Sequence, residues 1–113
     1  MKTLEQTTVI SAADSSLLQR VKATILKHLP TAKIVLYGSV ARGTQHEDSD
    51  YNLLVLTDRT LSMDEQHTVR SDIYAIELDL DMQVLFFVMF RSEDRWKTPF
   101  FDEKEIEEDG IIV

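Results

Sequence analysis

Tyr37 to Leu56 reads YGSVARGTQHEDSDYNLLVL, and the fold follows from this stretch. Lys33 to Tyr37 (KIVLY) before it is a short β-branched run closed by glycine, and Asn52 to Leu56 (NLLVL) repeats that signature, so both read as buried strands. Between them Val40 to Gly43 suits a single helical turn, and Thr44 to Ser49 is polar and loop-like. A strand that ends in Gly38-Ser39 and a strand that opens with Asp50 therefore meet end to end.

Outward from this centre the hydrophobic period changes from two to 3.6. Leu18, Val21, Ile25 and Leu29 recur at helical spacing behind Asp14 or Ser15 as N-cap, until Pro30 forbids continuation. Val69, Ile73, Ile76 and Leu80 make a second stripe within Leu61 to Leu80, with Ser62 or Asp64 as cap. The run Met82 to Phe90 is apolar almost throughout and reads as a central strand covered on both faces. Ser92 to Trp96 reads as a capped short helix and Phe101 to Asp109 as another, closed by Gly110. Residues 1–11 read as a frayed or edge segment, and Ile111 to Val113 as a strand whose partner the sequence leaves open. The order helix, strand, strand, helix, strand, helix predicts an α/β (α+β) fold with helices packed on a small mixed sheet.

Composition narrows the function classes. At 113 residues the chain is expected to be one domain over 1–113, too small for separate substrate modules. No cysteine is present, which removes disulfides, thiolate zinc sites and thiol nucleophiles. The N-terminus lacks a signal-peptide layout and Val84 to Phe90 is far short of a bilayer span, so the expected compartment is the cytoplasm, with no membrane partner. The net charge is -8, unevenly placed: residues 1–42 hold six basic and two acidic side chains, residues 43–113 six and eighteen. Such a balance opposes general nucleic-acid binding, because phosphate backbones recruit lysine and arginine.

The chemistry sits where the charge changes sign. Gly38 has no side chain to keep a phosphate from the main chain, the next amides open a helical turn that favours an anion, and Ser39 adds a hydroxyl donor. Strand alternation sends Asp50 and Asn52 to one face, Tyr51 and Leu53 to the other. An anion cradle beside hard oxygen ligands is what Mg²⁺ and a nucleoside triphosphate require.

These residues resemble the minimal nucleotidyltransferases of the polymerase-beta superfamily. The pattern there is Gly-Ser-x-Ala-Arg-Gly, six variable residues, then Asp-x-Asp leading into Leu-Leu-Val. Here it is Gly38-Ser39-Val40-Ala41-Arg42-Gly43, Thr44 to Ser49, then Asp50-Tyr51-Asn52-Leu53-Leu54-Val55. The resemblance implies a nucleotidyltransferase fold in which Gly38, Ser39 and Arg42 hold ATP or a similar triphosphate. It also implies that Asp50 and Asn52 are the catalytic pair and hold Mg²⁺. A nucleotidyl group, AMP from ATP, then moves to a partner macromolecule with loss of pyrophosphate. Similar members pair with a helical partner protein in toxin-antitoxin modules, and this chain looks like the antitoxin half; a homo-oligomer is left open.

The sequence departs from the pattern twice. Asn52 replaces the second aspartate, which removes one negative charge and a bridging carboxylate. Val84 to Phe90, the strand expected to supply a third carboxylate, has none, with Asp79 and Asp81 the local substitutes. A catalytically impaired nucleotide-binding or interaction module is therefore the alternative. For Arg42, phosphate or ribose contact competes with an ion pair to Asp48 or Asp50. His46 reads as a solvated loop residue, and His28 and His67 as surface. Trp96, Phe100 and Phe101 are either a base-stacking platform or a core plug. Asp102 to Asp109, six acids against Lys104, is a wet helical face or a docking surface for a basic partner.

Overall fold

The computed structural model describes residues 1–44, 50–94, 96 and 103–113, the side chains of residues 103 and 105 excepted. A five-stranded mixed sheet carries the chain: β1 (Lys2–Thr3), β2 (Lys33–Tyr37), β3 (Tyr51–Thr57), β4 (Phe86–Ser92) and β5 (Ile111–Ile112), in the order β1-β5-β2-β3-β4. β2 is antiparallel to β3 and to β5, whereas β3 and β4 run parallel. The C-terminal strand thus pairs within the molecule, and the first residues form an edge strand beside it.

Four helices complete the fold: α1 (Ala12–His28), α2 (Ser39–Arg42), α3 (Met63–Asp79) and α4 (Glu103–Asp109). α1 and α3 cover one face of the sheet. Their stripes Leu18, Val21, Ile25 and Val69, Ile73, Ile76 are buried with Leu36, Leu53, Val55 and Phe90. The opposite face carries a smaller cluster of Val35, Leu54, Leu56, Trp96 and Ile106, the last from α4. Trp96 is therefore a core plug and not a stacking platform; Phe100 and Phe101 lie outside the described residues.

Several boundaries differ from those expected. α1 starts three to four residues early because Ser11 supplies the cap, its Oγ accepting from Asp14 N at 3.0 Å, and Ala12 and Ala13 extend the helix at little cost. Ser62 caps α3 in a reciprocal box with Glu65. The apolar run 82–90 is neither central nor covered on both faces: β4 is the edge, and its Phe87 is 55% exposed. Asp81 and Met82, at φ 54° and 57°, turn the chain after α3 and delay the strand to Phe86, from where it pairs onward to Ser92. Ser92 is therefore strand, not a helix cap, and Glu93 N bonds Thr57 O at 2.8 Å.

Candidate functional site

β2 delivers Gly38 to the sheet end with φ 83° and ψ -158°, a conformation open only to glycine. Space demands the same residue: a Cβ on Gly38 would stand 2.5 Å from Asn52 Nδ2. The turn of α2 then locks in place. Arg42 N bonds Gly38 O at 3.1 Å, Thr44 N bonds Ser39 O at 2.9 Å, and Gly43, left-handed at φ 73°, closes the turn. Val40 and Ala41 are buried beneath it, so the turn is anchored in the larger core. The first amides of such a turn have no acceptor inside it, which favours an anion.

β3 brings the second half. Tyr51, its first residue, points into the helical layer, where its hydroxyl donates to the Asp14 carboxylate of α1. Burial pushes the Tyr51 phenol well above its ordinary pKa, and the bond to Asp14 adds to the shift. With Tyr51 fixed inward, alternation turns Asn52 toward the other face. Asn52 is half-buried against Gly38, and Asp50, one residue before the strand, is exposed. The two strand ends are thereby joined as the sequence implies.

Among the described residues, the acids at the end of α3 and in the turn after it are not grouped with Asp50 into a metal site. Asp79 pairs with Arg20 of α1 at 2.9 Å. Asp81 is exposed in the left-handed turn. Glu77 accepts from Phe86 N at 2.9 Å. On β4 the residue in register with Asn52 is Phe87. Among the described residues no three histidine or acidic side chains are grouped to hold a metal. The donor set is one carboxylate and one amide oxygen, which suits an Mg²⁺ that keeps waters and takes its other ligands from a triphosphate.

The Arg42 guanidinium lies 4.0 Å from Asp109 at the end of α4. Asp48 and His46 lie outside the described residues. His28 is exposed, as expected, and contacts Asp72 at 2.6 Å, which ties α1 to α3. Beside the turn, Lys2, Thr7, Arg42, Thr44 and Asp109 line a polar hollow of about 430 Å³. Sequence reading missed this hollow because β1 and β5 are two residues each, too short for a periodic signal.

The family profile described as "Polymerase beta, Nucleotidyltransferase" matches residues 19–98, which run from α1 through β4 and include the whole strand-end constellation. The chain belongs to the polymerase-beta nucleotidyltransferase family. Two solved structures share this family member's fold. One is a toxin-antitoxin with AMP-PNP (TM-score 0.55, 22% identity, 83% of this chain and 70% of that one covered). The other is an MntA-HpeT toxin-antitoxin mutant (TM-score 0.55, 20% identity, 81% and 68% covered). No curated protein matches the chain. Among the described residues no helix is long and apolar enough to cross a membrane.

Proposed function

We propose that the chain binds Mg²⁺-ATP at Gly38, Ser39, Arg42, Asp50 and Asn52 and transfers its AMP group to a helical partner protein, as the cytoplasmic antitoxin half of a toxin-antitoxin pair. The observation that carries this reading is the contact of Asn52 with the Gly38 main chain, which sets an anion cradle beside the oxygen donors. The solved toxin-antitoxin with AMP-PNP supports the same direction. In the transfer an acceptor hydroxyl oxygen bonds the α-phosphorus, the bridging bond to the β-phosphate breaks, and pyrophosphate leaves. Gly38 and Ser39 hold the departing end, and Asp50 and Asn52 hold the α-phosphate region. Mg²⁺ bound there supplies charge neutralisation.

Asn52 and Phe87 favour a second reading, in which the nucleotide binds but transfer has been lost. Losing a general-base carboxylate removes about 10²- to 10⁴-fold of rate. One experiment separates the two: incubate the chain with Mg²⁺-ATP and the product of its neighbouring gene, then record intact masses. A gain of one nucleotidyl group on the partner, abolished in Asp50→Ala, supports transfer. Nucleotide binding without any gain supports the second reading.

A further inference from the structure

Across the open face Tyr37, Asn52 and Phe87 form one row, in register on β2, β3 and β4. Adjacent strands stand ~4.8 Å apart, so Phe87 is one strand from Asn52 and two from the Gly38 end. An in-line displacement needs the attacking and leaving oxygens on opposite sides of the phosphorus. With the pyrophosphate end at Gly38 and Ser39, just past the end of β2, and the α-phosphorus over Asp50 and Asn52 at the start of β3, the nucleophile must arrive over β4. The side chains waiting there are apolar. Phe87 is 55% exposed, and Leu85, which shares its face and whose carbonyl accepts from Tyr51 N at 3.0 Å, is 41% exposed.

We propose that Phe87, with Leu85, seats the acceptor: a hydroxyl-bearing side chain in an apolar, basic segment of a partner protein. This rests on the transfer reading for its geometry. The exposed acids Asp50 and Asp81 stand at the same end of the sheet, and residues 43–113 carry twelve more acidic than basic side chains. That charge repels a phosphate-rich acceptor and complements a basic one. Phe87 is a positioning residue: the hydroxyl oxygen bonds the α-phosphorus, pyrophosphate leaves, the proton passes to water, and the ring fixes only the approach. In register it stands where a carboxylate beside Asn52 would stand, so it exchanges a chemical group for a docking surface.

The test compares Phe87→Glu, Phe87→Ala and Phe87→Leu, all at an exposed position. The probes are AMP-PNP alone, the product of the neighbouring gene with AMP-PNP present, and a single-stranded oligonucleotide, each titrated by calorimetry; AMP transfer from ATP is followed in parallel. Phe87→Glu is expected to weaken the partner protein at least tenfold and Phe87→Leu less than threefold, with AMP-PNP affinity unchanged within twofold. Equal partner binding by Phe87→Glu overturns the inference, as does absent partner binding by the native chain. A matching loss of AMP-PNP affinity in Phe87→Ala overturns it in favour of base stacking, and Phe87-dependent oligonucleotide binding overturns it in favour of nucleic acid. Partner binding that depends on Phe87 without any AMP transfer leaves the docking role standing and removes the transfer reading.

Discussion

The side-chain amide of Asn52 lies against the main chain of Gly38, so closely that a methyl group on Gly38 would come within 2.5 Å of Nδ2. Gly38 therefore meets two constraints, one from its φ of 83° and one from its neighbour. Gly38→Ala is expected to cost about 1–3 kcal/mol from backbone strain alone, with the steric clash adding to it. In an Asn52→Ala background the clash is gone and only the strain remains. A double-mutant cycle by urea denaturation should then return a coupling above about 0.5 kcal/mol. Strict additivity would show that the two residues do not touch.

Asn52→Asp tests whether this contact borders a metal site. A second carboxylate facing a divalent cation in high dielectric adds about 1–2 kcal/mol, or roughly tenfold in affinity. Calorimetry with Mn²⁺ and AMP-PNP should record that gain in Asn52→Asp and lose it again in Asp50→Ala/Asn52→Asp. An unchanged affinity would take Asn52 away from any metal.

How much of this was legible beforehand depends on the range of each signal. Tyr37 to Leu56 is dense in local information, with β-branched runs and a glycine at a strand end, and its two strands and helical turn appear in the fold as read, while residues 45–49 of the polar stretch lie outside the described residues. The stripes of α1 and α3 likewise follow from their period. The 82–90 run misled because a buried central strand and an edge strand with one exposed aromatic have the same composition, and only the strand order separates them. β1 and β5 pair with each other across nearly the full chain length, a long-range relation that no window contains. One contact of Arg42 is also tertiary: Asp109 arrives because α4 packs Ile106 on the sheet's second face.

Edge strands invite pairing with other chains, and β4 is an edge with two of its outward backbone groups bonded to side chains of α3. Arg70 Nη2 donates to Val88 O at 3.0 Å while its guanidinium lies 5.0 Å over the Phe90 ring, and Phe86 N donates to Glu77 Oε2 at 2.9 Å. Arg70→Ala/Glu77→Ala should uncover these backbone groups without opening the core, since Val69, Ile73 and Ile76 make α3's buried face. Sedimentation velocity is expected to show concentration-dependent association in the double variant beyond that of the native chain, with helix content by circular dichroism unchanged. Identical sedimentation at every concentration would mean that the two side chains do not guard the edge.

The start of α3 carries the clearest acid-sensitive element. Arg59 clasps Glu65 through both guanidinium nitrogens, one at 3.0 Å, and Glu65 exchanges bonds of 3.2 Å with Ser62 in the capping box. The Arg59 guanidinium, followed by the Ser62 backbone amide, holds the Glu65 carboxyl down at about 2, against an ordinary value of 4.5. A depressed folded-state value means that the stabilisation is complete above the unfolded value and is lost as pH falls. The window is therefore pH 4.5 down to about 2. Glu65→Gln retains an amide oxygen for the capping box but no charge, so it isolates the pairing with Arg59. Urea midpoints should lie below the native ones at pH 7 and converge with them by pH 2, and added salt should shrink the pH 7 gap because the pair is exposed. A gap that stays constant from pH 7 to pH 2 would assign the loss to packing and leave the Arg59–Glu65 charge pair without a share in it.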